Sequence, residues 1–465
     1  MNNEETPLSP RLSVGTRYLP GYLFLVVLPL VAVVALVQSL GNNGVAALPG
    51  ADSIVSSGHR LLLAIAVILA VTRLFGALLR LVGQPSVVGE ITAGIILGPS
   101  VLGLLLPEAT VWLFPADVVP SLETLSQFGV ILFMFLVGRE MPLDLLRRSG
   151  GTALALAQVS TVIPFLFGAL LAAWALGDYR TNGTPLLALV LFVGVAFAIT
   201  AFPVLARILH EQKLADTPVG TLGLATAGAG DAIAWCLLMV VSAVIGNGSL
   251  LSAFVACALV IGYGGALIAF VRPAMPRLVA AFERSGHTAV AAFLLCCVFA
   301  SAWITDSIGA HAIFGAVLAG LILPRDSATV REVLGKIEGL TMWLLLPLFF
   351  AVVGLKLDLA SIGGPADWGI LALIIVVAAV GKIAGVAIFA RLLGHDWRSS
   401  AGLGLMMNCR GVTELIVLQI GLSLGVLSPR LFTMLTCMAL VTTAVTGPLL
   451  RRLQLHTTPP ARSAA

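Results

Sequence analysis

Six ionisable residues stand inside long apolar stretches of this chain: Glu90, Asp231, Asp306, Lys382, Arg410 and Glu414. In hydrocarbon each would cost at least about 2.5 kcal/mol on insertion scales, so each needs a partner or a task. Asp231 is the most isolated. It follows Ala225-Thr226-Ala227-Gly228-Ala229-Gly230, halfway along the apolar run 217–245 and too far from either end to snorkel. The small residues before it let other backbones, or water, come close. Lys382 is likewise central, in Gly381-Lys382-Ile383-Ala384-Gly385. Each alone would be unstable; as an ion pair they stay charged and tune each other's proton affinity. Protonating the aspartate, or giving it a cation, would release the lysine. That is the chemistry of an exchange switch.

The other four read differently. Asp306 borders a turn, where snorkelling or local pairing accounts for it. Glu90, near the start of its segment, is open to a structural or a functional reading. Arg410 and Glu414 belong to Met407-Asn408-Cys409-Arg410-Gly411-Val412-Thr413-Glu414, a polar interruption that a lipid-facing helix does not explain. A second interruption is Ala198-Ile199-Thr200-Ala201-Phe202-Pro203, in which proline removes a helix hydrogen bond. The freed carbonyls and the Thr200 hydroxyl can then face a cation. Two broken helices at corresponding places in two halves, 184–209 and 398–426, are the signature of an inverted-repeat transporter with its site at the crossing.

The elements that must position these groups are membrane helices. Of 465 residues 59% are hydrophobic and 10% charged, where a soluble domain carries about 25% charged residues. Apolar windows predict about fourteen spans, near 22–40, 60–82, 86–104, 122–138, 151–176, 184–209, 217–245, 251–271, 287–306, 310–323, 340–354, 366–393, 398–426 and 429–449. The windows 310–323 and 340–354 are short for a full crossing. The first run has a weak cleavage signal and reads as an uncleaved helix rather than a signal peptide.

With the N-terminus inside, only Arg60, Arg180, Lys356 and Arg430 fall on the outer side, and Lys382 and Arg410 remain within the membrane. Every other Lys and Arg is on the inner side. The positive-inside rule therefore puts both termini in the cytoplasm; the expected location is the plasma membrane.

Several function classes are unsupported. There is no Walker loop, nucleophile elbow or HExxH helix, so no enzyme is expected. Basic residues are dispersed over loops, which argues against a nucleic-acid partner. The six cysteines (Cys236, Cys257, Cys296, Cys297, Cys409, Cys437) lack the spacing of a metal site and read as packing residues. No cofactor is expected, nor any metal beyond a transported ion. His311 reads as a hydrogen-bonding or packing residue, with a pH-tuning role as the alternative.

Gly89-Glu90-Ile91-Thr92-Ala93-Gly94-Ile95-Ile96-Leu97-Gly98-Pro99 resembles the early signature of the second monovalent cation:proton antiporter family. That family includes Kef-type and plant cation/proton exchangers. Phe133 to Glu140, Thr200 to Pro203, His311 to Ala316, Leu346 to Phe350, Gly381-Lys382 and Met407 to Leu418 resemble later motifs, in order. The resemblance covers roughly residues 60–450. It implies an all-α sodium/proton-antiporter fold, with a thirteen-helix core at 60–450 and dimerisation and mobile core subdomains, usually as a homodimer. An extra helix at 22–40, a cytoplasmic tail at 1–21 and a short tail at 451–465 complete the expected organisation.

It further implies that Asp231 and Thr200 bind the ion or proton and that Lys382 is the ion-pair partner of Asp231. Asn408, Arg410, Thr413 and Glu414 become the polar residues of the crossing, and transport is an elevator-like step. Relatives usually place Asp or Asn before the carrier aspartate, where this chain has Gly230; a single carrier goes with electroneutral exchange. The expected function is exchange of Na⁺ or K⁺ for H⁺. The alternatives are a sodium-coupled solute symporter of the same fold and an ion-sensing membrane protein that does not transport.

Overall fold

The computed structural model describes residues 57–453, except 82–83, 85, 141–149, 248–249 and 309–310. The expected helix at 22–40, the tail at 1–21 and most of the tail at 451–465 lie outside the described residues. The chain divides into two compact units, Met1–Thr124 with Phe350–Leu355, and Leu125–Phe349 with Lys356–Ala465.

The structure is helical throughout. The first unit holds α1 (Ser57–Leu81) and α2 (Ser86–Leu97), which pack together. There follow α3 (Val119–Glu140), α4 (Gly150–Ala175), α5 (Leu186–Ala198), α6 (Phe202–Glu211), α7 (Pro218–Asn247) and α8 (Leu250–Ala266). Next come α9 (Arg272–Glu283), α10 (His287–Ser307), α11 (Ala312–Leu321), α12 (Ala328–Leu340) and α13 (Leu346–Leu355). The chain closes with α14 (Pro365–Leu392), α15 (Trp397–Met407), α16 (Val412–Ser423) and α17 (Pro429–Arg452).

Among the described residues, ten helical stretches are long and apolar enough to cross a membrane, and three apolar helices are shorter: Leu186–Ala198, Ala312–Leu321 and Thr413–Ser423. Those three fall where the sequence was interrupted or short. The window 340–354 differs from expectation. It is no isolated short segment, because a π-helical turn at Thr341–Leu345 joins α12 to α13.

Glycine explains how tightly these helices approach, since hydrocarbon offers little drive toward helix contact and close backbone packing must supply it. A Cβ at Gly381 would lie 2.7 Å from the Phe167 ring, and one at Gly385 3.1 Å from Ile163. Spaced four apart on one face of α14, these glycines seat it directly against α4. In α2 and α13, a Cβ at Gly94 would meet the Ala351 carbonyl at 2.7 Å.

Within the second unit, one end of the site-bearing helices is tied by polar groups. The Asp367 carboxylate, in the first turn of α14, accepts from the Tyr179 hydroxyl at 2.6 Å and the Gly363 amide at 3.0 Å, and pairs with Arg430 of α17. Ser428 caps α17 and donates to the Tyr179 carbonyl at 2.5 Å. The start of α15 is fixed by Asp396, which accepts from the Arg398 and Ser399 amides, each at 3.0 Å. Hydrogen bonds from Ser399, side chain and backbone, hold the Asp396 carboxyl below the usual carboxylate range.

Candidate functional site

Two helix breaks meet inside the second unit. The first, at 199–201, separates α5 from α6; the second, at 408–411, separates α15 from α16. Each break exposes backbone groups that an intact helix would pair, and in an apolar interior those groups must find other partners. They find each other. The Ala201 amide donates to the Cys409 carbonyl at 3.0 Å, and the Thr200 hydroxyl donates to the Met407 carbonyl at 3.2 Å.

The two ends of the first break attract opposite charges, as a helix dipole requires. At the C-terminal end of α5, Arg410 donates through Nη1 to the Ala196 carbonyl at 2.8 Å and through Nη2 to Phe197 at 3.0 Å. Lys382 Nζ donates to the next carbonyl, Ala198, at 2.5 Å. Two fully buried cations thus occupy three successive orphan carbonyls. At the N-terminal end of α6, the Phe202 amide donates to Asp231 Oδ2 at 3.3 Å. An anion at a helix N-terminus is the matching arrangement.

Lys382 has two further partners. It donates to the Thr200 hydroxyl at 2.7 Å and to the Ser160 carbonyl of α4 at 2.8 Å. Ser160 stands four residues before Pro164, which lies inside α4. Proline has no amide hydrogen, so that carbonyl lacks its helix partner and is available to the ammonium. The glycine face of α14 brings the lysine within reach of it. Pro203 plays no equivalent part. It lies in the first turn of α6, where a missing amide hydrogen costs nothing.

The expected direct ion pair between Asp231 and Lys382 is therefore not a contact of this structure. The lysine is held by carbonyls and a hydroxyl, while Asp231 meets a backbone amide. The direct buried ion pair is Arg410 Nη1 to Glu414 Oε1, at 2.7 Å, one helical turn apart across the second break. The Arg410 guanidinium also lies 5.7 Å from the Phe197 ring centroid.

Several buried oxygens have no hydrogen-bond partner: Asp231 Oδ1, Thr226 Oγ1, Asn408 Oδ1, Thr413 Oγ1 and Glu414 Oε2. Buried polar atoms are nearly always satisfied, so each of these oxygens is an exception to the rule. Gly230, next to Asp231, is also informative: a Cβ there would meet no heavy atom within 4 Å. Open space adjoins this glycine.

The remaining sequence candidates belong to neither break. Glu90 is half-buried in α2, in the first unit, and Asp306 is exposed near the end of α10. His311 caps α11, its Nδ1 accepting from the Ile313 amide at 3.5 Å. Ser160 and Thr443 were not anticipated. Ser160 had a usable signal, the proline four residues on; Thr443 is one of several threonines in the last helix, and nothing in its spacing marks it. Cys296, Cys297, Cys409 and Cys437 are free thiols.

Comparison with known proteins places this arrangement. The chain is 40% identical over 388 residues to the Na⁺/H⁺ antiporter NhaS4 of Synechocystis, covering 83% of this chain and 95% of that one. It is 39% identical over 401 residues to cation/H⁺ antiporter 17 of Arabidopsis thaliana, covering 84% of this chain but only 48% of that longer protein. The fold is similar to the sodium proton antiporter MjNhaP1 of Methanocaldococcus jannaschii, with TM-score 0.52 and 15% identity, over 85% of this chain and 96% of that one. Residues 63–455 match the transmembrane sodium/hydrogen exchanger family, and the chain belongs to that family of multi-pass transporters.

Proposed function

We propose that this protein exchanges a monovalent cation, Na⁺ or K⁺, for H⁺ by alternating access, with Asp231 taking each in turn. The observation that carries the reading is the Asp231 carboxylate itself: buried, anchored through Oδ2 to the start of α6, and with Oδ1 unpartnered. One carboxylate that can hold either a proton or a cation is enough to couple two fluxes, provided that the loaded site moves and the empty charged one does not. Thr200 joins it as a ligand once its bonds to Lys382 and Met407 loosen, and Asn408 and Thr413 offer further oxygens. Lys382 acts on Asp231 through its field across the break rather than by contact.

In this reading a homodimer carries the site in an elevator-like step, on a thirteen-helix core of two inverted repeats, with both termini cytoplasmic. The relatives' names support cation/proton exchange as the activity. Purified protein in liposomes, with internal pH followed while Na⁺ and K⁺ are added in turn, tests it. The expected result is alkalinisation of the proton-losing compartment on addition of at least one ion. Apparent cation affinity should fall as pH falls, because protons compete for the same carboxylate. No response to either ion would favour a symporter or a sensor.

With one carrier carboxylate, one proton leaves per cation and exchange is electroneutral. Gly230→Asp is expected to change that. A Cβ at 230 would meet no heavy atom within 4 Å, and the helix loses a glycine that costs about 0.5–1 kcal/mol relative to alanine. A second carboxyl beside the first can bring a second proton. Exchange by the variant should then respond to membrane potential where wild type does not, measured with the potential clamped and unclamped.

A further inference from the structure

At the second break, one hydroxyl of another helix holds the backbone of Arg410. Thr443 of α17 accepts from the Arg410 amide at 3.1 Å and donates to the Arg410 carbonyl at 2.6 Å. Both backbone groups of Arg410 are thereby satisfied by a single side chain, itself only 3% exposed. Its neighbours on α17 behave differently. Thr433, Thr442 and Thr446 direct their hydroxyls to carbonyls of their own helix: Pro429 at 2.9 Å, Met438 at 2.8 Å and Thr442 at 2.8 Å. Thr443 instead bonds another element.

Resting on the exchange reading above, the geometry points to Thr443 as a positioning residue of the transport site. The Arg410 side chain reaches the Ala196 and Phe197 carbonyls and Glu414 from a backbone that has no helix of its own to fix it. Non-helical backbone at this depth is tolerated only where protein satisfies it. The Thr443 hydroxyl supplies both bonds, and so sets where the guanidinium stands and where the adjacent Cys409 carbonyl meets Ala201. That meeting point is one residue from the Phe202 amide that holds Asp231. A shift of the 410 peptide therefore moves the carbonyl and amide frame around the carrier carboxylate. Thr443 touches no ion; it acts through Arg410.

The test compares Thr443→Val, of equal shape but unable to make either bond, with Thr443→Ser, which keeps both, and with Thr442→Val as a neighbour whose hydroxyl stays within its helix. Hydrogen–deuterium exchange of the whole purified protein should show residues 408–414 exchanging about tenfold faster in Thr443→Val, with protection restored in Thr443→Ser. In liposomes the cation KM of Thr443→Val should rise about tenfold, the worth of one or two hydrogen bonds, while Thr443→Ser and Thr442→Val stay near wild type. Unchanged protection at 408–414 would overturn the assignment whether or not wild type exchanges ions. Faster exchange with an unaltered KM would overturn the role at the site and leave Thr443 a structural residue. Absence of exchange in wild type would count against the transport reading alone, since the deuterium measurement still decides on the hydrogen bonds.

Discussion

Asp231→Asn is expected to reduce cation/proton exchange to the level of protein-free liposomes while leaving the fold intact. The amide nitrogen can turn toward the unpartnered side of the group, and the remaining oxygen keeps the bond from the Phe202 amide. What disappears is the capacity to hold a negative charge and, with it, any exchange of a proton for a cation. Folding should not suffer, because a charge buried this deeply is a burden that an amide does not carry. Thermal unfolding in detergent should therefore match wild type or exceed it. Full exchange by a well-folded Asp231→Asn protein would sink the mechanism.

Arg410→Ala should be the most damaging change to stability. It removes the pair with Glu414 and the donors to the Ala196 and Phe197 carbonyls together. Stranding one partner of a buried ion pair costs about 3–5 kcal/mol. Each orphaned carbonyl adds about 1–3 kcal/mol. A loss of that size is comparable to the whole stability of many domains, so low yield and a large fall in unfolding temperature are expected. Combining Arg410→Ala with Glu414→Ala separates the two parts. The double variant should recover the cost of the stranded carboxylate but not that of the carbonyls, so it should unfold above Arg410→Ala and below wild type. If the double variant were no better than the single one, Glu414 would not be the charge that Arg410 balances.

The charged residues gathered at the two breaks were legible because charge is so conspicuous in an apolar chain. Asp231, Lys382, Arg410 and Glu414 were marked by the expense of burying them, and all four are brought to the two breaks. Thr200 was marked by the interruption it belongs to. Their pairing was not legible. A carboxylate and an ammonium alone in hydrocarbon suggest each other, yet Lys382 is satisfied by the carbonyls of Ser160 and Ala198. Main-chain carbonyls have no letter of their own, and which are left free depends on where a helix stops.

The helix stops at Ala198, one residue before Ile199, whose carbonyl Pro203 would free on the simple rule, and Pro203 itself is at ease in the first turn of α6. Pro164, in contrast, sits inside a continuous helix and frees the carbonyl that matters. The window 340–354 misled for a related reason: its short apolar run continues through a π-helical turn into a more polar helix. Glu90 and Asp306 met the same charge criterion as Asp231 but belong to neither break, Glu90 being half-buried in α2 and Asp306 exposed near the end of α10, so charge in an apolar stretch selects candidates without locating them.

The end of α5 has a consequence for how this protein can diverge. Its carbonyls at Ala196, Phe197 and Ala198 hold both buried cations, and replacing those residues leaves the carbonyls in place. The scaffold of the site is thereby insulated from point mutation on that side. Next to Asp231, Gly230 is a position where a side chain could be added, since a Cβ there would meet no heavy atom within 4 Å. Sequence change at the end of α5 can alter side chains, while the carbonyl frame that holds Arg410 and Lys382 persists.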